Sequence, residues 1–189
     1  MDATSNVSEA RAIATRSPAA GFTMIELLMA VAIVGIVAAI AVPGMMRARM
    51  SGNEASAIGT LRTINSAQAA FSASCGGGFY ADRLSNLAKA PTGGTSFISP
   101  DMAADTTIKD GYVINLAAAA TTAASVADAC TGAWKPTRAY YVSAVPVQFN
   151  ATGTRSFATD VRGTIFHAST ATAAAPIGDP IASTAMPIQ

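Results

Sequence analysis

The feature that most constrains the fold is an uncharged apolar run from Leu27 to Met46, which follows directly on the carboxylate of Glu26. Ala, Val, Ile, Leu and Met dominate this run. About twenty such residues are the length that a helix needs to cross a bilayer. A charge so close to hydrocarbon is costly unless it has a partner. The run therefore predicts a transmembrane helix, with a charge near its start that needs a partner.

Three kinds of segment share this composition. An ordinary secretory signal, cut after Ala41, has an apolar region of about 7–15 residues, whereas this run is longer and follows a carboxylate. A plain membrane anchor explains the length but not the sequence Gly21-Phe22-Thr23-Met24-Ile25-Glu26. A signal in which a cleavage site and a charged residue directly precede a membrane-spanning helix explains both the length of the run and this sequence.

This third arrangement resembles the class III signal of type IV pilins and pseudopilins. A short polar stretch is followed by Gly21, by the aromatic Phe22 and then by Glu26. The resemblance implies that a prepilin peptidase cuts between Gly21 and Phe22 and methylates the new amino group of Phe22. Residues 1–21 would then be a leader, and Glu26 would be the fifth residue of the mature chain.

The arginines that flank the apolar run do not fix its orientation. Arg11 and Arg16 precede the run, whereas Arg47 and Arg49 follow it. The positive-inside rule compares the numbers of basic residues on the two sides of a span, and here each side has two arginines. The resemblance implies that residues 1–21 are cytoplasmic and that the precursor lies in the inner membrane with its head in the periplasm.

Gly35 and the pair Pro43 and Gly44 interrupt the run, which is predicted to form a transmembrane and filament-core helix over residues 22–46. Proline removes a backbone donor and clashes with the preceding turn. Membrane helices tolerate this when neighbouring groups satisfy the freed carbonyls. The residues alone indicate a kink. The resemblance implies that this segment can lose its helicity in the assembled filament.

Residues 47–75 are predicted to be the amphipathic half of the same helix. Its apolar positions recur at helical spacing, with Ile58 beside them: Ala57, Leu61, Ile64 and Phe71. Its polar positions are assigned to Arg49, Asn53, Glu54 and Arg62. Such a stripe needs a surface to cover. Gly76–Gly78 should end the helix, because consecutive glycines make a helix costly.

Residues 76–189 are predicted to be a globular head. Strands are expected over 111–117 and 139–145, with a hairpin formed by 155–160 and 164–168. A short helix near 82–89, a surface loop over 118–132 and a weakly structured tail from Ser169 complete the head. The predicted fold is α+β: a pilin fold with a long N-terminal helix packed on a small antiparallel β-meander.

The two cysteines, Cys75 and Cys130, are predicted to form a disulfide. An even number of cysteines in a chain marked for export favours a disulfide over two buried thiols.

The sequence offers no enzyme motif, and no cofactor or metal is expected. His167 is the only histidine, and no glycine-rich loop follows a strand and opens a helix. Asp101, Asp105 and Asp110 lack the spacing of a calcium loop, so they are interpreted as solvated charges. The formal net charge of +1 and the scattered basic residues argue against direct contact with nucleic acid.

The resemblance implies a structural subunit of a type IV pilus. Copies of this chain, or of other pilins, would be extracted by the inner-membrane assembly machinery and packed into a cell-surface filament for adhesion, motility or DNA uptake. Glu26 of one subunit would meet the Phe22 ammonium of another. The alternative is a pseudopilin of a type II secretion system. Major pseudopilins usually carry a calcium site, which Asp160 and Asp179 alone do not suggest.

Overall fold

The computed structural model describes residues 21–119, 129–132, 134, 136–169 and 186–188. The chain divides into two compact units, Met1–Ala41 and Val42–Gln189. Helix α1, Met24–Ser74, begins in the first unit and ends in the second. Within the first unit every described residue is exposed, so this part of α1 buries nothing against its own unit.

The second unit contains a six-stranded antiparallel sheet in which neighbours along the chain are also neighbours in the sheet. The strands are β1 Thr106–Lys109, β2 Tyr112–Ala118, β3 Tyr140–Pro146, β4 Ser156–Asp160, β5 Ile165–Ala168 and β6 Met186–Pro187. Between α1 and β1 lie a one-turn helix α2, Leu84–Leu87, and a 3-10 turn, Pro100–Met102. The predicted α+β fold, a long helix packed on an antiparallel meander, is confirmed.

The second half of α1 packs on one face of this sheet through its apolar stripe. Ala57, Leu61, Ile64 and Phe71 are all buried, as the spacing predicts. Side chains of a strand alternate between the two faces of a sheet, so every second residue of a strand lies on the face that the helix covers. The strand residues of this core include Tyr112, Ile114, Leu116, Tyr140, Val142, Ala144 and Phe157.

Two polar side chains also lie on the buried face of α1. Glu54 is 5% exposed and Gln68 is fully buried. The assignment of Glu54 to the polar positions of the helix is therefore wrong. Glu54 precedes Ala57 by three residues and Leu61 by seven, and residues at these spacings share one helix face. Gln68 exchanges two hydrogen bonds with the main chain of Ala81, at 2.8 and 2.9 Å, and so fixes the segment that follows the helix.

The sequence patterns predict β2 to β5 within two residues at each end but miss the two edge strands. β1 joins β2 through Asp110 and Gly111, which have φ angles of 47° and 75°. A two-residue hairpin turn of this kind favours Asp-Gly, so the dipeptide was an available signal. β6 contains two residues, too few for a periodic pattern. Most of the predicted loop at 118–132 and of the predicted tail lies outside the described residues.

Helix α1 ends at the predicted glycines. Gly77 and Gly78 adopt positive φ angles of 58° and 90°, a conformation that glycine reaches at little cost. The disulfide predicted between Cys75 and Cys130 is present, with the two Cα atoms 5.1 Å apart. It ties the end of α1 to the segment that precedes β3.

Candidate functional site

The first residues of the described chain form the candidate site for processing and assembly. Gly21 and Phe22 lie in non-helical backbone, and Phe22 is 74% exposed. Helix α1 begins at Met24, which makes Thr23 its N-cap and Glu26 its third residue. The bond predicted to be cut therefore lies in exposed backbone just before the helix.

Thr23 and Glu26 form a hydrogen-bonded cap at this helix start. The Glu26 N–H donates to Thr23 Oγ1 at 3.3 Å, and the Thr23 hydroxyl makes a longer contact of 3.5 Å with the Glu26 carboxylate. A threonine at the N-cap with a glutamate three residues later is the pattern of a capping box. Thr23 was not predicted as a site residue, although this spacing could have identified it. The cap and the helix dipole give Glu26 a stabilising role within its own chain.

The apolar run after Glu26 is uncovered on every side. All residues from Gly21 to Arg49 are exposed, including Leu28 at 63% and Ile40 at 77%. The most apolar window of eighteen residues in α1 has a mean hydropathy of 2.7, which suits a membrane span by length and composition. Such a surface needs a bilayer or other protein chains to cover it.

The helix runs through Gly35, Pro43 and Gly44 without interruption. A Cβ atom built on either glycine meets no atom within 4 Å, so close packing within the chain does not require glycine there. Loss of helicity at this segment concerns the assembled filament and stays a prediction.

A second polar cluster joins α1 to the sheet around Glu54. One carboxylate oxygen accepts hydrogen bonds from the Thr154 N–H and hydroxyl, both at 2.8 Å. The other accepts from Arg155 Nε and Nη2, at 2.9 and 2.7 Å. Burial by itself raises the pKa of Glu54, but the hydrogen bonds from Thr154 and Arg155, with the Arg155 charge, hold the pKa below its ordinary value.

The carboxylates considered for calcium are not assembled into one site. Asp101 and Asp105 form ion pairs with basic neighbours, at 2.6 and 3.7 Å, and Asp110 accepts a hydrogen bond from a serine hydroxyl. Their interpretation as merely solvated charges is therefore incomplete. Within the described ranges, no group of three His, Cys, Asp or Glu side chains is placed to hold a metal ion.

Comparison with known proteins gives one match, at the N-terminus. A family model described as the prokaryotic N-terminal methylation motif matches residues 16–42, which include Gly21, Phe22 and Glu26. No curated protein and no solved structure matches the chain. The motif and the fold agree on the same class of protein: the chain carries a prepilin-type signal, typical of type IV pilins and pseudopilins, on a pilin-like fold.

Proposed function

We propose that this chain is the precursor of a structural subunit of a type IV pilus. One observation supports this function above all others: the uncovered apolar helix holds Glu26 near its start, and the methylation motif, residues 16–42, includes Glu26 and most of the apolar run. For an isolated molecule in water this helix is unfavourable, because its apolar surface stays exposed to the solvent. In a filament, the same surface packs against the helices of other copies.

Processing begins at Gly21 and Phe22. A prepilin peptidase cuts after Gly21 and methylates the amino group of Phe22. The exposed, non-helical backbone at these residues supports access by such an enzyme. Before assembly the chain resides in the inner membrane with its leader in the cytoplasm and its head in the periplasm, and the assembly machinery then extracts it into a cell-surface fibre.

Glu26 then has a second role, between subunits. Its carboxylate meets the methylated ammonium of Phe22 on a neighbouring copy, which neutralises two charges inside an apolar filament core. Removing one partner of a buried ion pair costs about 3–5 kcal/mol, so a subunit in the wrong register is rejected. Adhesion, motility or DNA uptake is a property of the whole fibre.

The test is mass analysis of surface filaments from cells that produce this chain. We expect an abundant chain that begins at Phe22 and carries a methyl group. A Gly21→Val variant should leave the full precursor in the membrane, whereas Gly59→Ala, at an exposed helical glycine, should be processed normally. An unprocessed chain in wild-type filaments would refute the proposal.

The same cells test the alternative. If deletion of the chain abolished protein secretion and left the surface pili unchanged, the subunit would be a pseudopilin of a type II secretion system. Loss of pili with normal secretion supports the pilus.

A further inference from the structure

Two arginines mark the end of the uncovered part of α1. Arg47 and Arg49 directly follow the apolar run, and both are exposed. The first half-buried side chain along the helix is Met50, and the first buried one is Glu54. The arginines therefore lie after the last apolar residue of the run and before the first residue of α1 that is not exposed.

The charges of both arginines are uncompensated within the described part of the chain. Neither guanidinium forms an ion pair there. Arg49 Nη2 lies 3.9 Å from the Met45 sulfur, a weak contact that leaves its charge unbalanced. The next acidic residue along the helix, Glu54, is already bound by Arg155 at 2.7 Å.

The two side chains leave the helix on nearly opposite sides. At 3.6 residues per turn, residues two apart differ by about 200° around the helix axis and by about 3 Å along it. A protein packed on one face of the helix would contact one of these arginines and leave the other free. A layer that surrounds the helix at a single depth would contact both.

We propose that Arg47 and Arg49 bind the phosphate groups of anionic phospholipids, at the membrane surface from which the head projects. The run from Leu27 to Met46 has the length of the hydrocarbon core, so the arginines follow at the depth of the headgroups. Arginines near helix ends extend their charges to this interface and bind phosphate through two parallel hydrogen bonds. This contact sets the depth of the subunit in the membrane before assembly. The inference rests on the part of the proposed function that places the precursor in a membrane.

A carboxylate on a second copy is the competing occupant. Most acidic side chains in the described part of the head already form ion pairs: Asp82, Asp101, Asp105 and Asp160. Asp110 accepts a hydrogen bond from Ser56, and Glu26 is engaged in the cap at the far end of the run. The described part of a second copy therefore offers few free carboxylates for two arginines on opposite sides of a helix.

The test places the full chain, one copy per disc, in nanodiscs of phosphatidylcholine with or without phosphatidylglycerol. Each arginine is modified with phenylglyoxal, and the rates are read by peptide mass spectrometry. We expect phosphatidylglycerol to slow modification of Arg47 and Arg49 roughly fivefold, because an anionic surface contributes about 1 kcal/mol per arginine. Arg62 is exposed on the same helix and should keep its rate. Salt at about 1 M should remove the difference, since it screens charges beyond about 3 Å.

Variants complete the test. R47Q/R49Q should lose its selective retention of phosphatidylglycerol in native mass spectrometry, whereas R47K/R49K and R62Q should keep it. Equal slowing at Arg62, no effect of the anionic lipid, or protection only with two copies per disc would overturn the inference while membrane insertion stands. Failure of the chain to enter nanodiscs of either composition would contradict the membrane precursor itself, and with it the inference.

Discussion

Arg155 donates from two guanidinium nitrogens to a single oxygen of Glu54, across 101 residues of sequence. The other oxygen of Glu54 is occupied by Thr154. The Glu54 side chain is 7% exposed and that of Arg155 is 40% exposed. The carboxylate has thus exchanged nearly all of its water for four donors, and these bonds join the helix to the start of β4.

We expect Glu54→Gln to lower the free energy of unfolding by about 2 kcal/mol, because hydrogen bonds to a charged group are lost and an amide then faces the donors of Arg155. Denaturant unfolding of the full chain in detergent measures this change. The matched control is Asp101→Asn, which breaks an ion pair whose side chains are 50% and 35% exposed and should cost much less. Equal losses of unfolding free energy in the two variants would show that the Glu54 cluster stabilises the fold no more than an exposed ion pair does.

The lowered pKa of Glu54 predicts an acid-sensitive contribution to stability. A carboxyl group whose folded pKa is depressed stabilises the protein above its unfolded pKa, about 4.3, and this stabilisation is lost as pH falls through the folded value. The free energy of unfolding of the wild type should therefore fall more steeply below about pH 5 than that of Glu54→Gln. Since other carboxyl groups act in both proteins, the difference between the two curves isolates Glu54. Parallel curves would contradict the prediction.

The parts of this fold that were predicted depend on local spacing. A short stretch of residues is enough to indicate each of these features: the buried stripe, the helix end and the strands β2 to β5. Glu54 shows the limit of such patterns. Its spacing places it on the buried face, but the partners that make its burial tolerable are about a hundred residues away, and only the folded sheet brings them to the helix.

The candidate site divides in the same way. Gly21, Phe22 and Glu26 can be identified from their order and from the apolar run that follows. The cap formed by Thr23 was equally local and was missed. In the sequence, Arg47 and Arg49 are only two of the four arginines that flank the apolar run in equal numbers on each side. The sequence could not show that their charges are uncompensated, because the presence of an acidic partner depends on which residues the folded chain places near them.

Gly153 is required by close packing against Tyr112. A Cβ atom on Gly153 would overlap the Tyr112 hydroxyl and lie 2.7 Å from its Cζ atom, and this hydroxyl donates to the Arg155 carbonyl at 2.8 Å. Tyr112 is fully buried, so it has little room to move. We expect Gly153→Ala to cost about 1–3 kcal/mol in unfolding free energy, the usual cost of overpacking.

Gly59→Ala is the matched control for Gly153→Ala in the same unfolding assay. Gly59 is exposed in α1, and a Cβ atom there meets nothing within 4 Å. Alanine should therefore stabilise the helix, by up to about 1 kcal/mol. If both variants shifted stability in the same direction, the packing explanation for Gly153 would be wrong.

The disulfide between Cys75 and Cys130 closes a loop with a sequence separation of 55 residues. A cross-link across such a loop restricts the unfolded chain and is worth about 4 kcal/mol in the chain-entropy model. We expect the Cys75→Ser/Cys130→Ser variant to have a lower Tm than the wild type. Reductant should lower the Tm of the wild type toward that of the variant and leave the variant unchanged. A reductant effect of equal size on the variant would point to another cause.

Thr23 and Glu26 allow the two roles of Glu26 to be separated. Thr23→Ala removes the N-cap side chain, at a cost of about 1 kcal/mol in helix stability, but keeps the Glu26 charge. Glu26→Gln keeps a residue that suits a capping box and removes the charge. If the charge pairs with the Phe22 ammonium of a neighbouring copy, Thr23→Ala should assemble and Glu26→Gln should not. Quantifying this chain in purified surface filaments, against its amount in the membrane, measures the outcome. Filaments of Glu26→Gln at wild-type abundance would eliminate the charge pairing, and failure of Thr23→Ala with success of Glu26→Gln would assign assembly to the cap.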